Sequence, residues 1–82
     1  MLLEIITPEK NVFKGNVDSA TFPGSNGSFQ VLNNHAPLIS SLDKGDLKFS
    51  DGKNNTTIVV DGGVVEVLNN TITVLAEKVI EE

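Results

Sequence analysis

Cysteine, tryptophan, tyrosine and arginine are all absent from this chain of 82 residues, which contains a single histidine, His35. Without cysteine there is no disulfide, no thiolate zinc cluster and no thiol nucleophile. Without arginine there is no bidentate clamp for phosphate or carboxylate. One imidazole cannot build a metal site that needs several. We therefore expect no metal and no cofactor, and a disulfide-stapled secreted domain is excluded.

Positive charge is also scarce. Eleven Asp and Glu residues outnumber six Lys residues, which gives a formal net charge of -5. A chain this acidic lacks the basic patch of a nucleic-acid binder and is repelled by anionic lipid. Its apolar runs are a few residues long, far short of the roughly 20 residues that a membrane helix needs. Its start, Met1-Leu2-Leu3-Glu4, has no signal-peptide pattern. We expect no nucleic-acid partner and no direct membrane insertion.

Turn-forming residues recur every few positions, as is typical of a chain of short strands. A helix is disfavoured nearly everywhere, and 76–82 is compatible either with two turns of helix or with an extension of the preceding strand. The sequence predicts one all-β domain over 1–82, a small antiparallel β-sandwich or flattened barrel of about seven to ten strands. The predicted strands are 2–6, 17–22, 28–32, 46–50, 56–60, 64–68 and 71–75.

Local patterns refine this fold. Asp51-Gly52 and Asn69-Asn70 predict hairpin turns, because these residues supply the positive φ angles that tight turns need. The run 58–60 and the pair Val64-Val65 interrupt the alternation of apolar and polar residues, which predicts strands covered on both faces or strands that change sheets. We interpret Gly62-Gly63 as a bulge or a close backbone approach and not as a ligand site.

One set of residues has the composition of a hydrolase site. His35 would be the base, Asp43 or Asp46 would orient it, and Ser40 or Ser41 would be the nucleophile. Such residues come together through the fold, and a lone His near a Ser and an Asp is expected by chance. The favoured interpretation is a loop histidine with local hydrogen bonds and no catalytic residues.

Three other motifs have ordinary explanations. The GxxG loop at 24–27 precedes a predicted strand, whereas phosphate cradles of this kind precede a helix. The charged turn at 43–46 lacks the calcium-loop pattern. The Asn-x-Ser/Thr triplets that begin at 26, 55 and 69 are interpreted as turn composition. These residues by themselves therefore indicate a binding or structural module.

Several strings occur together in a specific order: Leu-Glu-Ile-Ile-Thr-Pro-Glu at 3–9, Phe-Pro-Gly-Ser-Asn-Gly-Ser-Phe at 22–29, His-Ala-Pro-Leu at 35–38, Gly-Gly-Val-Val-Glu-Val at 62–67 and Thr-Val-Leu-Ala-Glu at 73–77. Together they span nearly the whole chain. By these strings the chain resembles the N-terminal β-sandwich domain of the epsilon subunit of F-type ATP synthase. Longer members continue into a C-terminal helical hairpin, and we expect a short form that lacks it.

The resemblance implies a non-catalytic rotor part of the central stalk. Such a subunit joins the gamma subunit to the membrane c ring and transmits rotation for ATP synthesis coupled to proton or sodium transport. It implies a peripheral location on the cytoplasmic face of the bacterial inner membrane. ATP binding and inhibition belong to the hairpin, so neither is expected.

The resemblance also implies contact residues. Those for the c ring are Gly24, Ser25, Asn26, Gly27 and Ser28. Those for gamma or the ring lie at Thr7 and within 35–41, and they include His35, Ala36, Pro37, Leu38 and Ser40.

The alternative is a free-standing β-sandwich that binds carbohydrate or protein. Carbohydrate modules stack sugars on exposed Trp or Tyr, and this chain has neither. Its four Phe residues (13, 22, 29 and 49) are mostly predicted to lie in the core.

Overall fold

The computed structural model describes residues 1–80, and they form ten strands without a helix. Each of the seven predicted strands is present, with ends shifted by at most two residues. Three strands were not predicted: β2, β5 and β10. The strands are β1 Leu2–Ile6, β2 Asn11–Asn16, β3 Ser19–Gly24, β4 Gly27–Leu32, β5 Leu38–Leu42, β6 Gly45–Ser50, β7 Asn55–Val60, β8 Gly63–Leu68, β9 Thr71–Ala76 and β10 Val79–Ile80.

The strands form one hydrogen-bonded sheet that folds over itself. Its order is β10-β7-β6-β3-β5-β8-β9-β1-β2, with β4 paired to β3. β3 and β5 share a single residue pair, Gly24 with Leu42. This corner separates layer one (β4, β3, β6, β7 and β10) from layer two (β5, β8, β9, β1 and β2). All pairs are antiparallel except β1 with β9, which is parallel.

The core lies between the two layers and follows from the period of two along each strand. In β6, Leu47 and Phe49 point inward as predicted, and in β9 so do Ile72 and Val74. The Phe13 and Phe49 rings, 4.5 Å apart, connect β2 with β6 across the layers. No polar or charged residue among residues 1–80 is buried. The other core residues are Leu3, Ile5, Val17, Ala20, Phe22, Val31, Leu42, Val60, Val65, Val67 and Ala76.

Both predicted hairpins are present. Asn69 and Asn70 join β8 to β9 with φ angles of 52° and 58°, as a tight turn of the primed type requires. The Asp51-Gly52 turn joins β6 to β7. In the segment 76–82, no helix forms among the described residues: Ala76 extends β9 by one residue, and Val79–Ile80 form a separate strand that pairs with β7. Residues 81–82 lie outside the described residues.

The Asp51 carboxylate holds the β6–β7 loop in place. Its Oδ1 accepts hydrogen bonds from the backbone N–H groups of Asn54, at 2.7 Å, and Lys53, at 2.9 Å. These bonds favour the charged form, chiefly the one from Asn54, and they lower the pKa of Asp51 below its ordinary value.

A lowered pKa in the folded state predicts a pH dependence of stability. The contribution of Asp51 is fully present above the pKa of the unfolded chain and is lost as the pH falls through the lower pKa of the folded chain. NMR titration of the side-chain carbon should place the Asp51 midpoint below that of an aspartate in a short unstructured peptide. In Asp51→Ala, the acid side of the unfolding curve should become shallower. An Asp51 midpoint equal to that of the peptide aspartate would contradict this prediction.

Candidate docking surfaces

The turns are gathered at two opposite ends of the sandwich. Leu42 pairs with both Gly24 and Gly63, and Gly63 pairs with Ala76. The turns that adjoin these residues therefore share one end, the loop end, which comprises 25–26, 43–44, 61–62 and 77–78. The opposite end, the asparagine end, carries 33–37 and 69–70.

At the loop end, a chain of hydrogen bonds fixes the first turn to its neighbour. The Ser41 hydroxyl donates to Ser25 Oγ at 2.9 Å, and the Ser25 hydroxyl donates to Asp43 Oδ1 at 3.2 Å. The backbone reinforces this chain, because Ser25 N–H donates to the Ser41 carbonyl at 3.0 Å and Asp43 N–H donates to the Pro23 carbonyl at 2.8 Å. The tip of this turn is thus exposed, polar and held in one position.

The asparagine end is held by side-chain amides. Asn70 Oδ1 accepts from the Asn34 backbone N–H at 2.8 Å, and Asn33 Oδ1 accepts from the Met1 amino group at 2.8 Å. Asn34 has a φ of 62°, a conformation that Asn tolerates better than most residues. The segment that leads into His35 is therefore anchored to the β8–β9 turn.

The predicted ring residues lie together at the loop end. Gly24 is buried, whereas 25–28 are exposed. Thr7 lies at the same end, since it follows β1 and lines a cleft with Glu77 and Lys78.

The other predicted contact residues do not join this patch. His35, Ala36 and Pro37 lie at the asparagine end, because they precede Leu38, the far end of β5. Leu38 itself is half-buried against the core. Ser40 is half-buried, and its hydroxyl donates to the Ser41 carbonyl at 3.0 Å. The predicted set is therefore divided between the two ends, roughly 13 Å apart along β5.

The same division separates the hydrolase candidates. His35 Nδ1 lies 2.7 Å from the carbonyl oxygen of Ala36, a local contact. Ser41 and Asp43 lie at the other end of β5, and the Ser41 hydroxyl donates its hydrogen bond to Ser25.

Residues 1–80 contain no group of three or more His, Asp and Glu side chains that could hold a metal ion. They also contain no helix that is long and apolar enough to cross a membrane.

A surface that the sequence analysis did not predict lies on the outer face of layer two, which carries the outward side chains of β5, β8, β9 and β1. It holds four exposed large hydrophobic residues: Ile39 at 71%, Leu75 at 54%, Leu68 at 48% and Val64 at 42% exposure. Of the two interpretations of Val64-Val65, coverage on both faces is wrong for the chain alone, because only Val65 is buried, and a change of sheets is wrong because β8 pairs with β5 and β9 along its length. The interrupted alternation of apolar and polar residues at Val64-Val65 was nevertheless the sequence feature that could have indicated this exposed apolar face.

Strand register brings these side chains together. Val64 pairs with Leu75, which pairs with Ile6, so apolar residues cross three adjacent strands. In the next row Ile39 pairs with Glu66. Along β8, Glu66 lies between the exposed residues Val64 and Leu68. An exposed carboxylate therefore lies in the middle of the apolar surface.

The outer face of layer one differs in composition. Its outward positions on β3, β4, β6 and β7 are mostly Ser, Thr, Gln, Lys and Asp. Leu32, at the end of β4, is the one large hydrophobic residue among residues 1–80 that is exposed away from layer two. The two faces of the sandwich are therefore chemically distinct.

The sequence matches the family described as "ATP synthase, Delta/Epsilon chain, beta-sandwich domain" over residues 1–82. The ATP synthase epsilon chain of Leptospira borgpetersenii is 44% identical over 75 residues, which are 92% of this chain and 59% of that protein. That of Maridesulfovibrio salexigens is 44% identical over 77 residues, 94% of this chain and 54% of that protein. The chain thus spans a little over half the length of these curated relatives.

Solved structures have the same fold. A chain of the Tetrahymena thermophila mitochondrial ATP synthase, in a structure titled central stalk/cring, superposes with a TM-score of 0.84 at 18% identity and covers 98% of this chain and 65% of that one. A chain of the Euglena gracilis mitochondrial ATP synthase has a TM-score of 0.88 at 20% identity, with 95% and 51% covered. The expected β-sandwich is confirmed, and the chain belongs to the family of the ATP synthase delta/epsilon β-sandwich domain.

Proposed function

We propose that this chain is a non-catalytic central-stalk subunit of an F-type ATP synthase, which joins the gamma subunit to the c ring and transmits rotation for ATP synthesis coupled to proton or sodium transport. The observation that carries the proposal is the family match over all 82 residues. A subunit in this position is peripheral to the membrane, on the cytoplasmic face of the bacterial inner membrane.

The loop end suits contact with the ring. Its first turn is exposed and polar, and such surfaces form hydrated contacts with other polar loops. The hydrogen bonds through Ser25 hold it on the rigid end of two strands. A contact that transmits torque has to resist deformation, and a dense core between hydrogen-bonded layers supplies that stiffness.

The proposal involves no chemistry on this chain. His35 and the Ser41–Asp43 region lie at opposite ends of β5, and the polar groups of the loop end bond to one another. The proposed role therefore depends on shape and on contact with neighbouring subunits.

Replacing both Asn26 and Gly27 by valine tests the ring contact. Gly27 has a φ of 118°, which β-branched residues rarely adopt, so the turn should change shape. We expect binding to a gamma–c-ring subcomplex to weaken by about tenfold or more, a loss of about 1.4 kcal/mol, and binding to isolated gamma to stay within about twofold. Biolayer interferometry with immobilised gamma and with the subcomplex measures both.

Gln30→Val is the matched control, because it places the same side chain on the same hairpin at an unstrained, exposed strand position. It should leave both affinities unchanged. Equal loss of gamma and subcomplex binding in the double variant would argue that the turn does not face the ring. Failure of the unmodified chain to bind either would overturn the proposed function.

A further inference from the structure

The turn at the tip of the β3–β4 hairpin contains the one Asn-Gly pair of the chain, Asn26-Gly27. We propose that this pair is a site of spontaneous covalent modification, at which the Asn26 amide is converted to an acid through a cyclic imide. The modification adds one negative charge and, in part of the molecules, lengthens the backbone. Its effect on the ring contact rests on the proposed function, whereas the modification itself does not.

The reaction takes place between two adjacent residues and consumes only water. The Gly27 backbone nitrogen attacks Cγ of Asn26, a nitrogen–carbon bond forms, and the bond from Cγ to Nδ2 breaks. The proton of the Gly27 nitrogen leaves with Nδ2 as ammonia, and a cyclic imide remains. Water then opens the ring. Breaking the bond from nitrogen to Cγ gives aspartate, and breaking the bond from nitrogen to the backbone carbonyl carbon gives isoaspartate, in which the chain runs through Cγ.

The glycine that follows Asn26 decides which asparagine reacts. Gly27 has no Cβ that would hinder the approach of its nitrogen to the neighbouring side chain. Each of the other eight asparagines precedes Val, Asn, His or Thr. Asn26 and Gly27 are both exposed, and a Cβ at Gly27 would meet nothing within 4 Å. Water and space are therefore available around the reacting groups.

The Asn26 side chain is also free to rotate toward the attacking nitrogen. It forms no hydrogen bond within residues 1–80, in contrast to Asn33 and Asn70, whose Oδ1 atoms both accept one. Gly27 pairs with Gly24 beside the turn, so its N–H has to leave the hairpin before it reacts. Such local opening costs least at the exposed tip of a loop.

The product changes both the charge and the path of the turn. A carboxylate at position 26 adds to the net charge of -5 and follows Ser25, whose hydroxyl donates to Asp43 Oδ1 at 3.2 Å. The new carboxylate and that of Asp43 repel each other, because they carry like charges. Isoaspartate also inserts an extra carbon into a turn whose ends are paired at Gly24 and Gly27. Both changes alter the surface proposed to contact the ring.

Mass spectrometry of the aged chain is the first test. The purified chain is incubated at mildly alkaline pH, and its peptides are sequenced for the mass change from amide to acid. An isoaspartate-specific methyltransferase marks the lengthened linkage. We expect conversion at Asn26 to be faster than at any other asparagine by about tenfold or more. Equal rates at several asparagines, or faster conversion elsewhere, would overturn the inference.

Gly27→Ala tests the route of the reaction. The substitution strains the turn and favours its opening, but it places a Cβ beside the attacking nitrogen. We expect conversion at Asn26 to slow by about tenfold or more, because access of the nitrogen to Cγ limits the rate. A rate that is unchanged or higher would show that the cyclic imide is not the route. Asn26→Gln is the matched control, since its longer side chain closes a larger ring and should remain an amide.

Binding is the second test, with the gamma–c-ring subcomplex and isolated gamma as the probes. The aged chain that carries isoaspartate is separated by ion exchange and measured by biolayer interferometry. It should bind the subcomplex about fivefold more weakly, or worse, and gamma within about twofold of the fresh chain. Fresh Asn26→Asp adds the charge without the extra carbon and should lose less. Asn26→Gln incubated in the same way should keep its affinity.

The outcomes separate the modification from the proposed function. If Asn26 is not converted preferentially, the inference is overturned and the subunit role stands. If the isoaspartate form binds the subcomplex as well as the fresh chain does, the effect on the ring contact is overturned. If the fresh chain binds neither gamma nor the subcomplex, the proposed function fails, and the mass measurement still decides the modification.

Discussion

Gly63→Ala is expected to lower the free energy of unfolding by about 3 to 6 kcal/mol, which is a large part of the total stability of a domain this size. Gly63 has a φ of 136°, a region that side chains disfavour. An added Cβ would lie 2.3 Å from the Leu75 carbonyl oxygen and 2.8 Å from Ala76 Cα. Both contacts are with the backbone of the paired strand β9, which can move only if the ladder shifts. Backbone strain and steric clash therefore add at this position.

Gly27→Ala separates the two causes. Gly27 also has a positive φ, 118°, but a Cβ there would meet nothing within 4 Å. Only the backbone strain applies, so we expect a loss of about 1 to 3 kcal/mol. Urea unfolding followed by far-ultraviolet circular dichroism measures both variants, since the chain has no Trp or Tyr to report by fluorescence. Equal losses would contradict the close approach at Gly63.

Phe22→Ala is expected to cost about 3 to 5 kcal/mol, because it removes a fully buried aromatic side chain and leaves a cavity. Phe22 has 0% exposure, and its ring centroid lies 5.5 Å from that of Phe29 on the paired strand. Phe22→Leu retains most of the apolar volume and should cost about 1.5 kcal/mol or less.

Leu32→Ala is the control for this prediction. Leu32 lies on the strand paired with β3 but is 53% exposed, so its truncation should change stability by about 0.5 kcal/mol or less. The same urea titrations measure both variants. A loss in Leu32→Ala as large as that in Phe22→Ala would mean that the assignment of the core to the space between the layers is wrong.

The three strands that the sequence analysis did not predict share a cause. β2 contains Lys14 and Gly15, and β5 contains two serines, so neither has the strong alternation that identifies a strand from its own residues. β10 has two residues and exists because β7 offers a pairing edge. These segments become strands through partners that are distant in the sequence, and local preference does not report such pairing.

The candidate surfaces divide in the same way. The turn at 24–28, whose ring contact stays a prediction, and the close approach at Gly63 were predicted from local strings, because turn chemistry depends on residues that are adjacent in the chain. The apolar surface around Glu66 was not recognised. Ile39, Val64 and Leu75 come from three strands, and only the registers between those strands place Val64 beside Leu75 and Ile39 beside Glu66.

The order of residues along this chain was enough to establish its acidity, its all-β class, its hairpin turns and its family resemblance, since each of these depends on composition or on near neighbours. The division of the predicted contacts between two ends, the contrast between the two outer faces and the exposed position of Glu66 arise only after folding. The physical reason is that a strand's period of two assigns side chains to alternate faces, while long-range pairing decides which face meets the core and which meets solvent.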